Sequence, residues 1–140
     1  MVLELDSLKK ATASLDEIIT RVQDRKLMSS FDAVVQNGLK AGTILNFEFT
    51  YELCWKFMKR WLEHNIGSTY VDGITRQELF RYAAENKLID DVQKWMDHHR
   101  ARNMTSHTYN AKTADEVFKA ATEFAADAEA LLRQLEAHND

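Results

Sequence analysis

The chain has no proline, four glycines and one cysteine among its 140 residues. With so few residues that punctuate a backbone, long uninterrupted elements are expected rather than many short ones joined by tight turns. The lone cysteine, Cys54, rules out an intrachain disulfide and a four-thiolate zinc site, and it fits a reducing, cytoplasmic setting. No uncharged apolar run approaches the roughly 18 residues of a membrane span. The opening stretch MVLELDSLKK lacks the basic start and unbroken apolar segment of a signal peptide. A cytoplasmic protein with no membrane contact is the expectation. The formal charge of −4 argues against a surface that is basic all round, so any site for a polyanion must be local.

What is present is helical periodicity. At 45% hydrophobic the chain can build one ordinary core, and a single domain over residues 1–140 is expected. From about Leu5 to Leu39 the apolar positions Leu8, Leu15, Ile19 and Val22, then Phe31, Val34 and Val35, recur at helical intervals. Gly38 and Gly42 would end that helix, with a break near Ser29. A second helix over roughly 43 to 65 carries Phe47, Tyr51, Trp55, Met58 and Leu62 on one stripe and stops at Gly67. Thr75 followed by Glu78 is a capping box, with Ile74 and Leu79 as its staple, and opens a short third helix to about Asn86. Asp90 with Gln93 would open a fourth helix. Thr113 with Glu116 would open a fifth, carrying Val117, Ala121, Phe124, Ala128, Leu131 and Leu135. The expected fold is all-α, an up-and-down four-helix bundle with one additional short helix.

The fourth helix changes character along one face. At about 100° per residue, Val92, Trp95, Met96 and His99 share a side. If the helix continues, the same side then receives Arg102, Asn103, Ser106, His107, Tyr109 and Asn110. Buried without partners, such groups would each cost roughly 1–3 kcal/mol, so a wet cleft or a subunit interface is expected instead. Lys94, Arg100, Arg102 and Lys112 outnumber Asp97 between Val92 and Lys112, which favours an anion there. The plainer reading is a helix end that has passed the edge of the core. What favours a functional reading over it is the company these residues keep, which supplies a fixed cation, hydrogen-bond donors and a side chain of the type that titrates near neutral pH.

Other candidates are weaker. Glu48 and Glu52, four apart, are either a carboxylate pair able to hold magnesium or a solvated helix face. His98, His99 and His107 invite a metal reading, but adjacent helical residues diverge by about 100° and no acid or thiol accompanies them in register, so neither a metal nor a cofactor is expected. Trp55, Trp61 and Trp95 lie on or beside apolar stripes and read as core or interface aromatics, and Cys54 as a small buried hydrophobe.

The segment Arg102-Asn103-Met104-Thr105-Ser106-His107-Thr108-Tyr109 resembles the Arg, four residues, His, any residue, Tyr motif of the HEPN superfamily. It is most similar to the branch called nucleotidyltransferase substrate-binding proteins. The stretch FEFTYELCWKFMKRWLE, residues 47–63, is similar to that branch's other recognisable segment. The resemblance implies a bundle that forms a homodimer with motif helices facing across the two-fold, encoded beside a minimal nucleotidyltransferase with which it assembles. It also implies, from related modules, a metal-independent ribonuclease toxin silenced by adenylylation of the motif tyrosine, which would be Tyr109. In that family reading Glu48 and Glu52 lie near the cleft as support.

Metal-free RNA cleavage needs a base, an acid and a positive charge on the phosphorane. His107 can carry the proton and Arg102 the charge, while Asn103, one turn away, can orient the imidazole or hold a phosphate oxygen. Ser106 and His99 complete the expected binding face with Glu48 and Glu52. One motif histidine per chain means that a two-histidine mechanism needs two chains. Two other readings stand beside this one: a non-catalytic subunit that presents a nucleotide or other substrate to a nucleotidyltransferase, which the acidic pI favours, and a purely structural dimer. The intact Arg, His and Tyr favour the ribonuclease.

Overall fold

Asp32, Thr75, Asp91 and Asn110 each turn a side-chain oxygen back onto a free backbone N–H, and these caps set where the main helices begin. The acceptors lie 2.9 Å from Val35 N, 3.2 Å from Glu78 N, 3.1 Å from Lys94 N, and 3.0 and 3.2 Å from Lys112 N and Thr113 N. The computed structural model describes residues 2–140. In chain order the elements are α1 (Asp6–Gln23), α2 (Arg25–Ser29), α3 (Ala33–Asn65), α4 (Ser68–Val71), α5 (Arg76–Glu85), α6 (Val92–Asn103), a 3-10 turn (Met104–His107) and α7 (Ala111–Ala137).

Four of these make an up-and-down bundle. Ser14 Oγ donates to Asn46 Oδ1 at 2.8 Å and Thr50 Oγ1 reaches Ala11 O at 3.4 Å, so α1 and α3 run antiparallel. Lys9 meets Glu136 at 3.4 Å and Leu3 N meets Asn139 Oδ1 at 2.7 Å, which sets α1 antiparallel to α7. Phe47 packs on Phe124, and Trp61 Nε1 donates to His138 O at 3.1 Å, so α3 and α7 run parallel. Helix α6 returns antiparallel along α7, with Lys94 beside Asp127 and Ala101 beside Val117. Helix α5 is the short extra element, leaning on α3 and α6.

Phe124 sits at the centre. Its ring lies 5.2 Å from Phe47, 6.1 Å from Tyr51, 5.6 Å from Trp95 and 4.9 Å from His98, mostly edge to face. The stripe expected on the second helix is buried at Phe47, Tyr51, Met58 and Leu62, with Trp55 half-buried, and all six expected apolar positions of the last helix are buried. Cys54 is fully buried, and burial pushes its thiol far above the usual range, so it behaves as a small hydrophobe.

Several expected boundaries move. Gly38 and Gly42 do not end a helix: α3 runs through both, because Asp32 caps a helix that tertiary packing then sustains for 33 residues. Gly42 is used for close approach, since a Cβ there would stand 3.1 Å from Ile18 Cδ1. The break near Ser29 is real, as α2 ends there, but Val34 and Val35 are exposed, so their spacing does not mark a core face. Asp91, not Asp90, caps α6, and Asn110, not Thr113, caps α7. The Thr75 cap and the Gly67 stop are as read, with Gly67 at φ +105°. The fourth helix does not continue through Asn110. It ends at Asn103 and tightens into a 3-10 turn, which advances about 120° per residue and rotates His107 roughly 80° beyond its place on a continuous α-helix.

Candidate functional site

Glu52, on α3, organises the polar residues where α3, α5 and α6 meet. Its Oε1 stands 3.2 Å from Arg102 Nε, within ion-pair distance though not aligned as a hydrogen bond, and its Oε2 accepts from Trp55 Nε1 at 3.1 Å. Arg102 Nη1 also reaches Thr105 Oγ1 at 3.4 Å. The carboxylate therefore fixes a cation from α6 and an indole from its own helix at once. Arg76, at the first turn of α5, lays its guanidinium 3.5 Å from the centre of the Trp55 ring.

His99 stands beside this group. Its Nδ1 is 2.8 Å from Tyr51 Oη and its Nε2 is 3.4 Å from Asn103 Nδ2. With Nδ1 protonated and donating to Tyr51, Nε2 is free to accept from Asn103, and both contacts are satisfied. Burial, then the cations Arg76 and Arg102, hold His99 below its ordinary value, which favours this neutral ring. Burial also pushes the Tyr51 phenol up, so it stays protonated.

The residues after Arg102 are placed differently. Asn103, Ser106, His107 and Tyr109 are all exposed, Tyr109 at 87%. The His107 and Tyr109 rings lie 6.1 Å apart, steeply inclined. Arg102 and Glu52 are each about one-third exposed, 33% and 35% for their side chains, so the pair lies at the rim between core and solvent. Glu48 is half-buried one turn before Glu52. His98 and His107 do not join His99: His98 Nε2 turns inward to Asp127 Oδ2 at 2.6 Å, and His107 faces solvent. Thus the structure gathers Glu52, His99, Arg102 and Asn103, and leaves Ser106, His107 and Tyr109 on the adjoining open surface.

The family model described as nucleotidyltransferase substrate binding protein like matches residues 3–137. The chain belongs to this nucleotidyltransferase substrate-binding family. Within it, the chain is 35% identical over 138 residues to a Haemophilus influenzae protein named "Probable ribonuclease HepT", covering 98% of this chain and 94% of that one. A solved Haemophilus influenzae structure, described as revealing the fold of a substrate binding domain of a nucleotidyltransferase, superposes with a TM-score of 0.92 at 34% identity. That match covers 95% of this chain and 99% of the other. A Thermus thermophilus crystal structure superposes at a TM-score of 0.72 with 25% identity, covering 91% of this chain and 98% of the other.

Three features of this family member escaped sequence reading. Tyr51 counts as core by periodicity, yet its hydroxyl serves His99. Arg76 reaches Trp55 from an element whose first turn signalled only a capping box. Leu45 and Phe49 are 64% and 61% exposed, and their helical spacing with Glu48 and Glu52 was the available signal.

Proposed function

We propose that this chain is the HEPN subunit of a two-component module, a metal-independent ribonuclease that acts as a homodimer and is silenced when a minimal nucleotidyltransferase adenylylates Tyr109. The observation that carries this reading is Arg102, anchored by Glu52 at the edge of an open face on which Asn103, Ser106, His107 and Tyr109 are all accessible. The named relative, a probable ribonuclease at 35% identity, supports it.

In the reaction, the ribose 2′-oxygen attacks the adjacent phosphorus as its proton passes to the His107 imidazole. Arg102 neutralises the phosphorane, and the 5′-oxygen leaves with a proton from an acid. The products are a 2′,3′-cyclic phosphate and a free 5′-hydroxyl. The same histidine of a second copy supplies the acid, since each chain has one motif histidine. Leu45 and Phe49 support such pairing: both are exposed on α3 beside Glu48 and Glu52, and a second copy covering them would lie next to the carboxylate that holds Arg102.

Silencing follows from position. The Tyr109 Oη attacks the α-phosphorus of ATP and pyrophosphate leaves, which places a bulky anion beside His107, whose ring is only 6.1 Å from that of Tyr109. A second reading, a non-catalytic subunit that presents a nucleotide to the nucleotidyltransferase, is favoured by the description of the solved Haemophilus structure. Expression separates the two. Growth arrest by this chain alone, relieved by the partner enzyme together with a mass gain of one AMP on Tyr109, is expected. Absence of any phenotype with no added AMP supports the presenting subunit instead.

A further inference from the structure

A cavity of about 300 Å³ opens between α3, the start of α5 and His99 of α6, and no step of the cleavage reaction above uses it. Its walls include Lys59, Arg76, Trp55, Thr75 and His99, and no Asp or Glu. That absence is informative in a chain of net charge −4, because four other surface cavities of similar size each include at least one carboxylate. Among the described residues no carboxylate lies within ion-pair distance of Arg76. Its Nε is buried without a hydrogen-bond partner. The guanidinium is instead held by stacking on Trp55, whose own N–H is tied to Glu52. A fixed cation with unused donors and a second, more flexible cation at Lys59 line one hollow beside the start of α5.

We propose that this hollow is a phosphate-binding subsite, in which Arg76 and Lys59 hold a phosphate of a nucleotide unit next to the one that reaches Arg102 and His107. The placement explains how an acidic protein grips a polyanion locally: Glu52 links the two regions, pairing with Arg102 on one side and fixing Trp55, and through it Arg76, on the other. His99 lines the hollow and also contacts Asn103, so the subsite and the motif face share a wall. The inference rests on the nucleic-acid reading above for the identity of the strand, and only on Arg76 and Lys59 for the phosphate.

The test measures binding of a fluorescein-labelled single-stranded RNA and of AMP to the full-length His107→Ala protein over a range of salt, then repeats it with Arg76→Gln, Lys59→Gln and Arg76→Lys added. Arg76→Gln and Lys59→Gln should each weaken RNA binding and reduce the slope of log affinity against log salt by about 0.7, as expected for one lost single-strand contact. Arg76→Lys should keep the slope. Circular dichroism confirms that each variant is folded. Displacement of RNA by AMP shows that a free nucleotide also fits the subsite, and failure of AMP to displace it shows that the phosphate must belong to a strand; both support the proposal. Unchanged affinity and slope in both glutamine variants, or no binding of either probe to any form, overturns it. RNA cleavage by the wild type with unchanged Arg76→Gln binding removes the subsite and keeps the ribonuclease. Arg76-dependent binding without cleavage does the reverse.

Discussion

Arg102 Nε and Glu52 Oε1 are 3.2 Å apart across the α3–α6 contact, and Glu52 simultaneously holds Trp55. Because the pair is about one-third exposed on both sides, it contributes under about 1 kcal/mol to stability. Its value is in position. Glu52→Gln should leave urea-unfolding stability within about 1 kcal/mol of wild type. RNA cleavage should fall by as much as about 100-fold, the scale of loss when a reacting group is displaced by an ångström. A variant equally active and equally stable would show that Arg102 needs no anchor.

Leu45 and Phe49 should mark the surface that a second copy covers. Leu45→Glu with Phe49→Glu places charge on residues that are already exposed, so the monomer should fold normally. Sedimentation velocity should show a dimer become a monomer, with RNA cleavage lost alongside. An unchanged dimer would place the interface elsewhere.

Stability should depend on pH above the carboxylate range. Burial lowers His98 more than its Asp127 hydrogen bond raises it, and burial with Arg76 and Arg102 lowers His99, from an ordinary value of 6.5 in each case. The unfolded chain therefore binds protons at these sites more readily than the folded one. Stability is complete above about pH 7.5 and declines as pH falls through 6.5, by at most about 1.4 kcal/mol per pH unit for one proton. Urea unfolding at pH 7.5 and 5.5 checks this, and His98→Gln should remove part of the difference. Equal stability at both values in the wild type would contradict the assignment.

The two helical glycines of α3 should respond differently to alanine. A Cβ at Gly38 would meet nothing within 4 Å, so Gly38→Ala should raise stability by about 0.5–1 kcal/mol through lower backbone entropy in the unfolded state. Gly42→Ala gains the same entropy but must displace Ile18 Cδ1 from 3.1 Å, so its gain should be smaller or absent. Thermal unfolding of both variants decides whether close packing of α1 on α3 is the reason for Gly42.

Much of this molecule is legible in its sequence, and the misses have physical causes. Phe47, Tyr51, Met58 and Leu62, and the run from Val117 to Leu135, reveal their helices because a buried face enforces the 3.6-residue period. Thr75 and Gly67 reveal boundaries because a cap and a left-handed residue are local requirements. Gly38 and Gly42 mislead because a glycine costs a helix only about 1 kcal/mol, and the Asp32 cap before them and the buried face from Thr43 onward hold the helix across both. The 3-10 turn at Met104–His107 leaves no periodic mark, and extending the α-helical period across it misplaces His107 by roughly 80°. Arg76 joins Trp55 only through folding, so no spacing along the chain could pair them.

The most direct test of the account is RNA cleavage by the purified, unmodified chain with EDTA present, compared with His107→Ala of equal thermal stability. The wild type should cut single-stranded RNA to products ending in 2′,3′-cyclic phosphate, and His107→Ala should be inactive. Cleavage at the wild-type rate by a folded His107→Ala protein would contradict the claim that the Arg102–His107 face is a ribonuclease site.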